Sequence, residues 1–123
     1  MKMRGIPYVM NSHDPQVGLF CYGVITNALR FVGEDLPLDS LDFTNAMKHR
    51  RRCKLIWMPA PLQAWDMPLM IEPKTGLVRH IGLIIDDGQE MMHAVREMGS
   101  VVIEPVRKYM HRIKAVGRLR KFL

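Results

Sequence analysis

At 123 residues, 48% hydrophobic and 24% charged, with a net charge of +6, the chain is long enough to bury one core and reads as a single domain over 1–123. No apolar run approaches the ~20 residues of a membrane span. Arg4, Asn11, His13 and Asp14 break up any signal-peptide core in the first twenty residues, so export by the general secretory route is not expected. The two cysteines, Cys21 and Cys53, make no disulfide framework and lack zinc-site spacing, so neither a metal nor another cofactor is expected.

In chain order, Gly5-Ile6-Pro7-Tyr8 reads as extended structure or a turn, because the residue before a proline is pushed out of the helical region. A polar loop over 11–18 then leads into Gly18-Leu19-Phe20-Cys21-Tyr22-Gly23-Val24-Ile25. From Cys21 the apolar residues fall at Cys21, Val24, Ile25, Ala28, Leu29 and Val32, the stripe of a helix packed on one face, with Gly33 as its C-cap. A thiol in the first turn of a helix sits near unpaired N–H groups and the positive end of the dipole, which favours thiolate. Cys21 is therefore the candidate nucleophile, against the plainer reading of a buried small hydrophobe.

A second helix is expected over 41–51, with Ser40 as N-cap, an acidic start and a basic end. Residues 54–58 read as a short strand or an extended connection before Pro59 and Pro61. From Trp65 the pattern changes to short apolar runs between turn signals, predicting strands over 67–71, 77–85, 90–95, 101–106 and 113–119. The turns at 73–76, 86–88 and Gly99 make neighbours antiparallel. Helices first and an antiparallel sheet after them make the class α+β.

His80 precedes the Asp87-Gly88 turn and His93 follows it. A two- or four-residue hairpin loop sets His80 opposite Val95 and His93 opposite Gly82, diagonal neighbours on one face at roughly 7–8 Å between Cβ atoms. A three-residue loop would put them on opposite faces. A cysteine at a helix start, a histidine base and a second polar group that holds its tautomer form the nucleophile, base and orienter of cysteine hydrolases. Those roles fall to Cys21, His80 and His93, while His13, His49 and His111 read as surface residues.

The segments Gly5-Ile6-Pro7-Tyr8, Phe20-Cys21-Tyr22-Gly23, Arg79-His80-Ile81-Gly82-Leu83 and His93-Ala94, together with Trp65-Asp66-Met67, resemble in order and spacing the motifs of the NlpC-type cell-wall cysteine peptidases, a papain-like family. The resemblance implies a papain-like fold and cleavage of an amide bond in peptidoglycan stem peptides. It implies Cys21 as nucleophile, His80 as base, His93 as third member, Tyr8 as a substrate or oxyanion contact, and Phe20 and Tyr22 as further substrate-binding positions. The family's Asp and Ser flanking the cysteine, which hold the substrate's amine end, are replaced by Phe20 and Tyr22, and its Trp-Gly-Gly after the tyrosine by Val9-Met10-Asn11-Ser12. A cysteine followed by a bulky aromatic and then Gly-Leu/Val, here Cys21-Tyr22-Gly23-Val24, looks more like the variants carried by bacteriophage tails. The resemblance thus implies a virion tail component, in the host cytoplasm before assembly, with other tail proteins as partners. A structural tail or assembly protein that keeps the fold without the chemistry is the alternative.

Twelve of the eighteen lysines and arginines lie at Lys48, Arg50, Arg51, Arg52 and Lys54 or at Arg107, Lys108, Arg112, Lys114, Arg118, Arg120 and Lys121. No aromatic platform, helix-turn-helix or zinc pattern accompanies them, so nucleic acid is not the expected partner. Solvated faces or docking onto an acidic partner or an anionic wall polymer account for the clusters equally well.

Overall fold

The computed structural model describes residues 2–34 and 52–123. The expected helix over 41–51, and with it Lys48, His49, Arg50 and Arg51, lies outside the described residues. Among the described residues, helix α1 (Cys21–Phe31) is followed by seven strands: β1 (Cys53–Trp57), β2 (Met67–Ile71), β3 (Val78–Ile81), β4 (Leu83–Ile85), β5 (Glu90–Val95), β6 (Ser100–Pro105) and β7 (Ile113–Leu119). A 3₁₀ helix, Val106–Arg112, joins β6 to β7. The strands form two antiparallel sheets, in the orders β1-β7-β2-β3 and β4-β5-β6.

The two sheets meet where the strand expected over 77–85 breaks at Gly82. On one side of the break β3 pairs with β2, bringing Met70 opposite His80. On the other, β4 pairs with β5 in the register expected from the turn, Leu83 opposite Met92 and Ile84 opposite Met91. The hydrogen bonds from Gly82 N–H to Pro68 O (3.2 Å) and from Ile84 N–H to Asp66 O (2.8 Å) carry the chain across the bend. A Cβ at Gly82 would lie 2.6 Å from Met91 Sδ, so glycine is what allows the strand to turn against β5.

Alternation along the strands builds a core on each face. Val24, Ile25, Ala28 and Leu29 of α1 pack with Leu69, Ile81, Leu83, Met92, Ala94 and Val101. Met70, Ile84, Met91, Ile113 and Val116 pack with Val106 on the other side. The end of α1 is a Schellman cap, Glu34 N–H bonding Leu29 O at 2.8 Å and Gly33 N–H bonding Arg30 O at 3.1 Å, with Gly33 at φ +83°.

The helix start is not buried on one face alone. Residues Cys21 to Thr26 are all buried, because the loop before the helix covers its second side. Ser12 O comes so near that a Cβ at Gly23 would lie 2.3 Å from it. His13 Nδ1 is 2.8 Å from Thr26 Oγ1, and Asn27 Nδ2 donates to His13 O at 2.9 Å. His13, expected at the surface, is thus half-buried and ties the loop to the helix, whereas His111 is exposed.

The basic C-terminal cluster is also corrected. Arg118 is turned inward, its Nε and Nη2 each 2.7 Å from a carboxylate oxygen of the fully buried Asp66. Lys108 bonds Glu104, Arg112 donates to Ile71 O and Lys121 to Val32 O, so at least four of the seven cations are tied to groups of the fold rather than left as a free charge patch. Among the described residues no helix is long and apolar enough to cross a membrane.

Candidate active site

Cys21 is the first residue of α1, entered from Phe20 in extended conformation (φ −97°, ψ −176°) with no side-chain cap, so the first-turn N–H groups meet no side chain of the N-cap residue. The helix packs on β3 and β5, the strands that carry the two histidines. Cys21, His80 and His93 all line one cavity of about 600 Å³. Although His80 and His93 belong to different sheets, His80 Nε2 lies 2.8 Å from His93 Nδ1. The rings are tilted by 59° with centroids 5.0 Å apart.

His93 is 1% exposed and continues inward, its Nε2 3.1 Å from Glu104 Oε1. Glu104 was not identifiable as a site residue from the sequence, where it is one acidic residue in an otherwise apolar run. In the structure His93 pairs with Val102, which sets Glu104 diagonally beside it on the same face. The 3₁₀ helix then lays Lys108 and Tyr109 against the same carboxylate, at 2.5 and 2.9 Å.

The electrostatics reverse one expectation. Burial pushes the Cys21 thiol up to about 11, while backbone N–H groups of Ile81, Tyr22 and Cys21 pull it down by less. Desolvation outweighs the helix start because Cys21 is only 4% exposed. Burial, with His93 and Arg112 beside it, lowers His80 to about 3, and burial lowers His93 against the opposing pull of Glu104. At neutral pH the site is therefore a thiol and two neutral imidazoles. Cys53, also free, is buried in the core away from this cavity, and burial raises it to about 11 as well.

Tyr8 reaches the cavity because the entry segment is strapped onto β6, Gly5 N–H bonding Val101 O at 2.9 Å and Tyr8 N–H bonding Gly99 O at 2.8 Å. Phe20 lines the cavity as well, its ring edge-on to His13 at 4.9 Å. Tyr22 does not. At 2% exposed it belongs to the core with Val24 and Leu29, and the expectation that it contacts substrate is corrected. Among the described residues no group of three or more histidine, cysteine or acidic side chains is placed to hold a metal ion.

No family model and no curated protein matches the sequence. Solved structures do. The NlpC/p60 domain of the peptidoglycan hydrolase SagA is similar over 94% of this chain and 89% of its own, at 20% identity and a TM-score of 0.68. An NlpC/P60 family protein from Bacillus cereus ATCC 10987 is similar over 95% of this chain, at 22% identity and a TM-score of 0.74. A protein described as similar to lipoprotein, of the NLP/P60 family, from Staphylococcus aureus subsp. aureus Mu50 is similar over 95% at 20% identity and a TM-score of 0.69. This chain spans only 36% and 37% of those last two. What is shared at these identities is the architecture, a helix packed on antiparallel sheets, and the fold of this chain is that of the NlpC/p60 domains.

Proposed function

We propose that the chain is a cysteine peptidase or amidase that hydrolyses an amide bond in peptidoglycan stem peptides. The observation that carries this reading is the meeting of Cys21 with a directly bonded histidine pair in one open cavity. In the reaction Cys21 Sγ attacks the amide carbonyl carbon as its proton passes to the His80 imidazole, so that a C–S bond forms and the carbonyl π pair moves onto oxygen. The first-turn N–H groups of α1 are the donors for that oxyanion, and Tyr8, which lines the same cavity, supplies a further hydroxyl for it or for the substrate. Its collapse breaks the C–N bond, and the leaving amine takes the proton from His80. Water, deprotonated by His80, then attacks the thioester and releases the acid and the thiol.

Phe20 defines the substrate. An aspartate beside the nucleophile would pair with a free α-amino group, a charge-assisted contact worth roughly 1.5–3 kcal/mol, and Phe20 cannot make it. The enzyme accordingly accepts intact, wall-linked stem peptides at least as well as free fragments. That suits a hydrolase acting on the unbroken sacculus, and with the resemblance of Phe20-Cys21-Tyr22-Gly23 to tail variants it supports a place at a bacteriophage tail tip, beside other tail proteins, after a cytoplasmic stage before assembly. The test compares cleavage of purified sacculi with that of short soluble stem peptides, using Cys21→Ala as the blank. Cleavage of both, with sacculi at least as good, is expected. Activity confined to peptides with a free amino terminus refutes the substrate assignment. No activity on either favours the alternative of a structural tail protein, to which the replacement of the family's Asp and Ser by Phe20 and Tyr22 points.

A further inference from the structure

The hydrogen-bond chain that starts at His80 ends on a group with only one way to bond. Glu104 is 7% exposed and faces three donors: His93 Nε2 at 3.1 Å and the Tyr109 hydroxyl at 2.9 Å, both on Oε1, and Lys108 Nζ at 2.5 Å on Oε2. Burial alone would raise its pKa, but the bonds from Lys108, Tyr109 and His93 together hold it below the ordinary carboxylate value. It is an anion at neutral pH and can only accept.

An acceptor at that end fixes every proton along the line. His93 Nε2 must carry a hydrogen, because a bare nitrogen there would set its lone pair against the carboxylate. A neutral imidazole protonated at Nε2 is bare at Nδ1, and His93 is kept neutral by burial in spite of Glu104. The bare Nδ1 of His93 then requires the hydrogen of the 2.8 Å contact to sit on His80 Nε2. His80, neutral in turn, is left with an unprotonated Nδ1, the nitrogen not engaged by His93. In the opposite arrangement His80 carries its hydrogen on Nδ1 and has no lone pair for the thiol proton.

We propose that Glu104 is a positioning residue that sets the tautomers of both histidines and so leaves His80 Nδ1 free to act as the base. The proposal rests on the reading of His80 as base to Cys21. Glu104 touches neither substrate nor thiol and acts through His93. When His80 takes the thiol proton, the resulting imidazolium donates to His93, whose own Nε2–H is already committed to the carboxylate, and the new charge is met without rearrangement. Tyr109 has a second part here: its ring stands edge-on to His93 at 5.0 Å and 80°, so the 3₁₀ helix both packs the imidazole and holds the carboxylate that orients it.

The test reads the protons directly. Histidine-¹⁵N-labelled protein at neutral pH is examined by long-range proton–nitrogen correlation, in the wild type and in Glu104→Gln, alongside steady-state kinetics. In the wild type both His80 and His93 should be Nε2–H tautomers. In Glu104→Gln the amide can donate as well as accept, so both histidines should become tautomer mixtures. In that variant kcat should fall about 10–100-fold with KM within about twofold, the size seen when the outer-shell partner that orients a metal-bound histidine is removed. Glu104→Asp, which keeps an acceptor-only group, should restore the Nε2–H tautomers and part of kcat. A wild-type His80 carrying its proton on Nδ1, or tautomers unchanged in Glu104→Gln, overturns the proposal. The tautomers as stated in a protein that cleaves no stem peptide support the positioning role while refuting the peptidase reading, so the two fail separately.

Discussion

The buried thiol makes a quantitative prediction about Cys21. With its pKa pushed up to about 11, only about 10⁻⁴ of the residue is thiolate at neutral pH, against about 3% for an unperturbed cysteine near 8.5. Iodoacetamide reacts with the thiolate, so alkylation of Cys21 in the folded protein should be about 300-fold slower than that of a free thiol, before any further slowing by its burial. With no ionisation near neutrality the rate should climb about tenfold per pH unit up to at least about pH 9. His80, lowered to about 3, stays neutral throughout this range and adds no inflection. Cys53, also raised to about 11, should be slow in the same way, so the helix start does not separate the two cysteines. The assay is mass-spectrometric counting of label on each cysteine over time at a series of pH values, with urea-unfolded protein as the unperturbed reference. A plateau in the Cys21 rate below about pH 8 would refute the reasoning, because it would mean that the first-turn N–H groups and a protonated His80 outweigh desolvation and hold a resting ion pair.

Two further outcomes follow from the geometry. His80→Ala should abolish acyl-enzyme formation in single-turnover assays while leaving the thermal transition intact, whereas His93→Gln, whose amide can still accept from His80, should keep a measurable fraction; equal loss in both, at unchanged stability, would show that the roles are wrongly divided. Arg118→Met strips the fully buried Asp66 of both its 2.7 Å partners and should cost about 3–5 kcal/mol in urea unfolding, with Asp66→Leu added to it recovering much of the loss; a change below about 1 kcal/mol would mean that water reaches the carboxylate.

The elements legible in the sequence were those whose signal is local. The stripe from Cys21 to Val32 with Gly33 behind it marks α1 and its cap, since helical period and left-handed capping are properties of a dozen neighbouring residues. The apolar runs between turn residues mark β2, β5 and β7 at the observed boundaries. The Asp87-Gly88 turn sets the observed register of β4 on β5, because loop length and the two-residue period of a strand leave few choices. The motifs around Cys21, His80 and His93 carry the NlpC-type architecture for the same reason, in that each is short and contiguous.

What tertiary structure decided depends on groups far apart in the chain meeting, or on water being excluded. Gly82 reads in sequence as one more residue of a strand, yet it is the point where the strand breaks and His80 passes into a different sheet from His93, with the Met91 side chain packed where a Cβ would stand. Thr26 is buried because the loop carrying Ser12 and His13 folds back over the helix, a contact the helical period of α1 does not encode, and Tyr22 is drawn into the core with Val24 and Leu29. Arg118 looks like part of a surface charge cluster until Asp66, 52 residues away, takes it inside. Glu104 acquires a role only when cross-strand pairing sets it diagonal to His93 and the 3₁₀ helix closes on it. The ionisation of Cys21 also depends on the tertiary structure: the dipole of a helix start can be read from a dozen residues, but the desolvation that opposes it belongs to the whole packed chain.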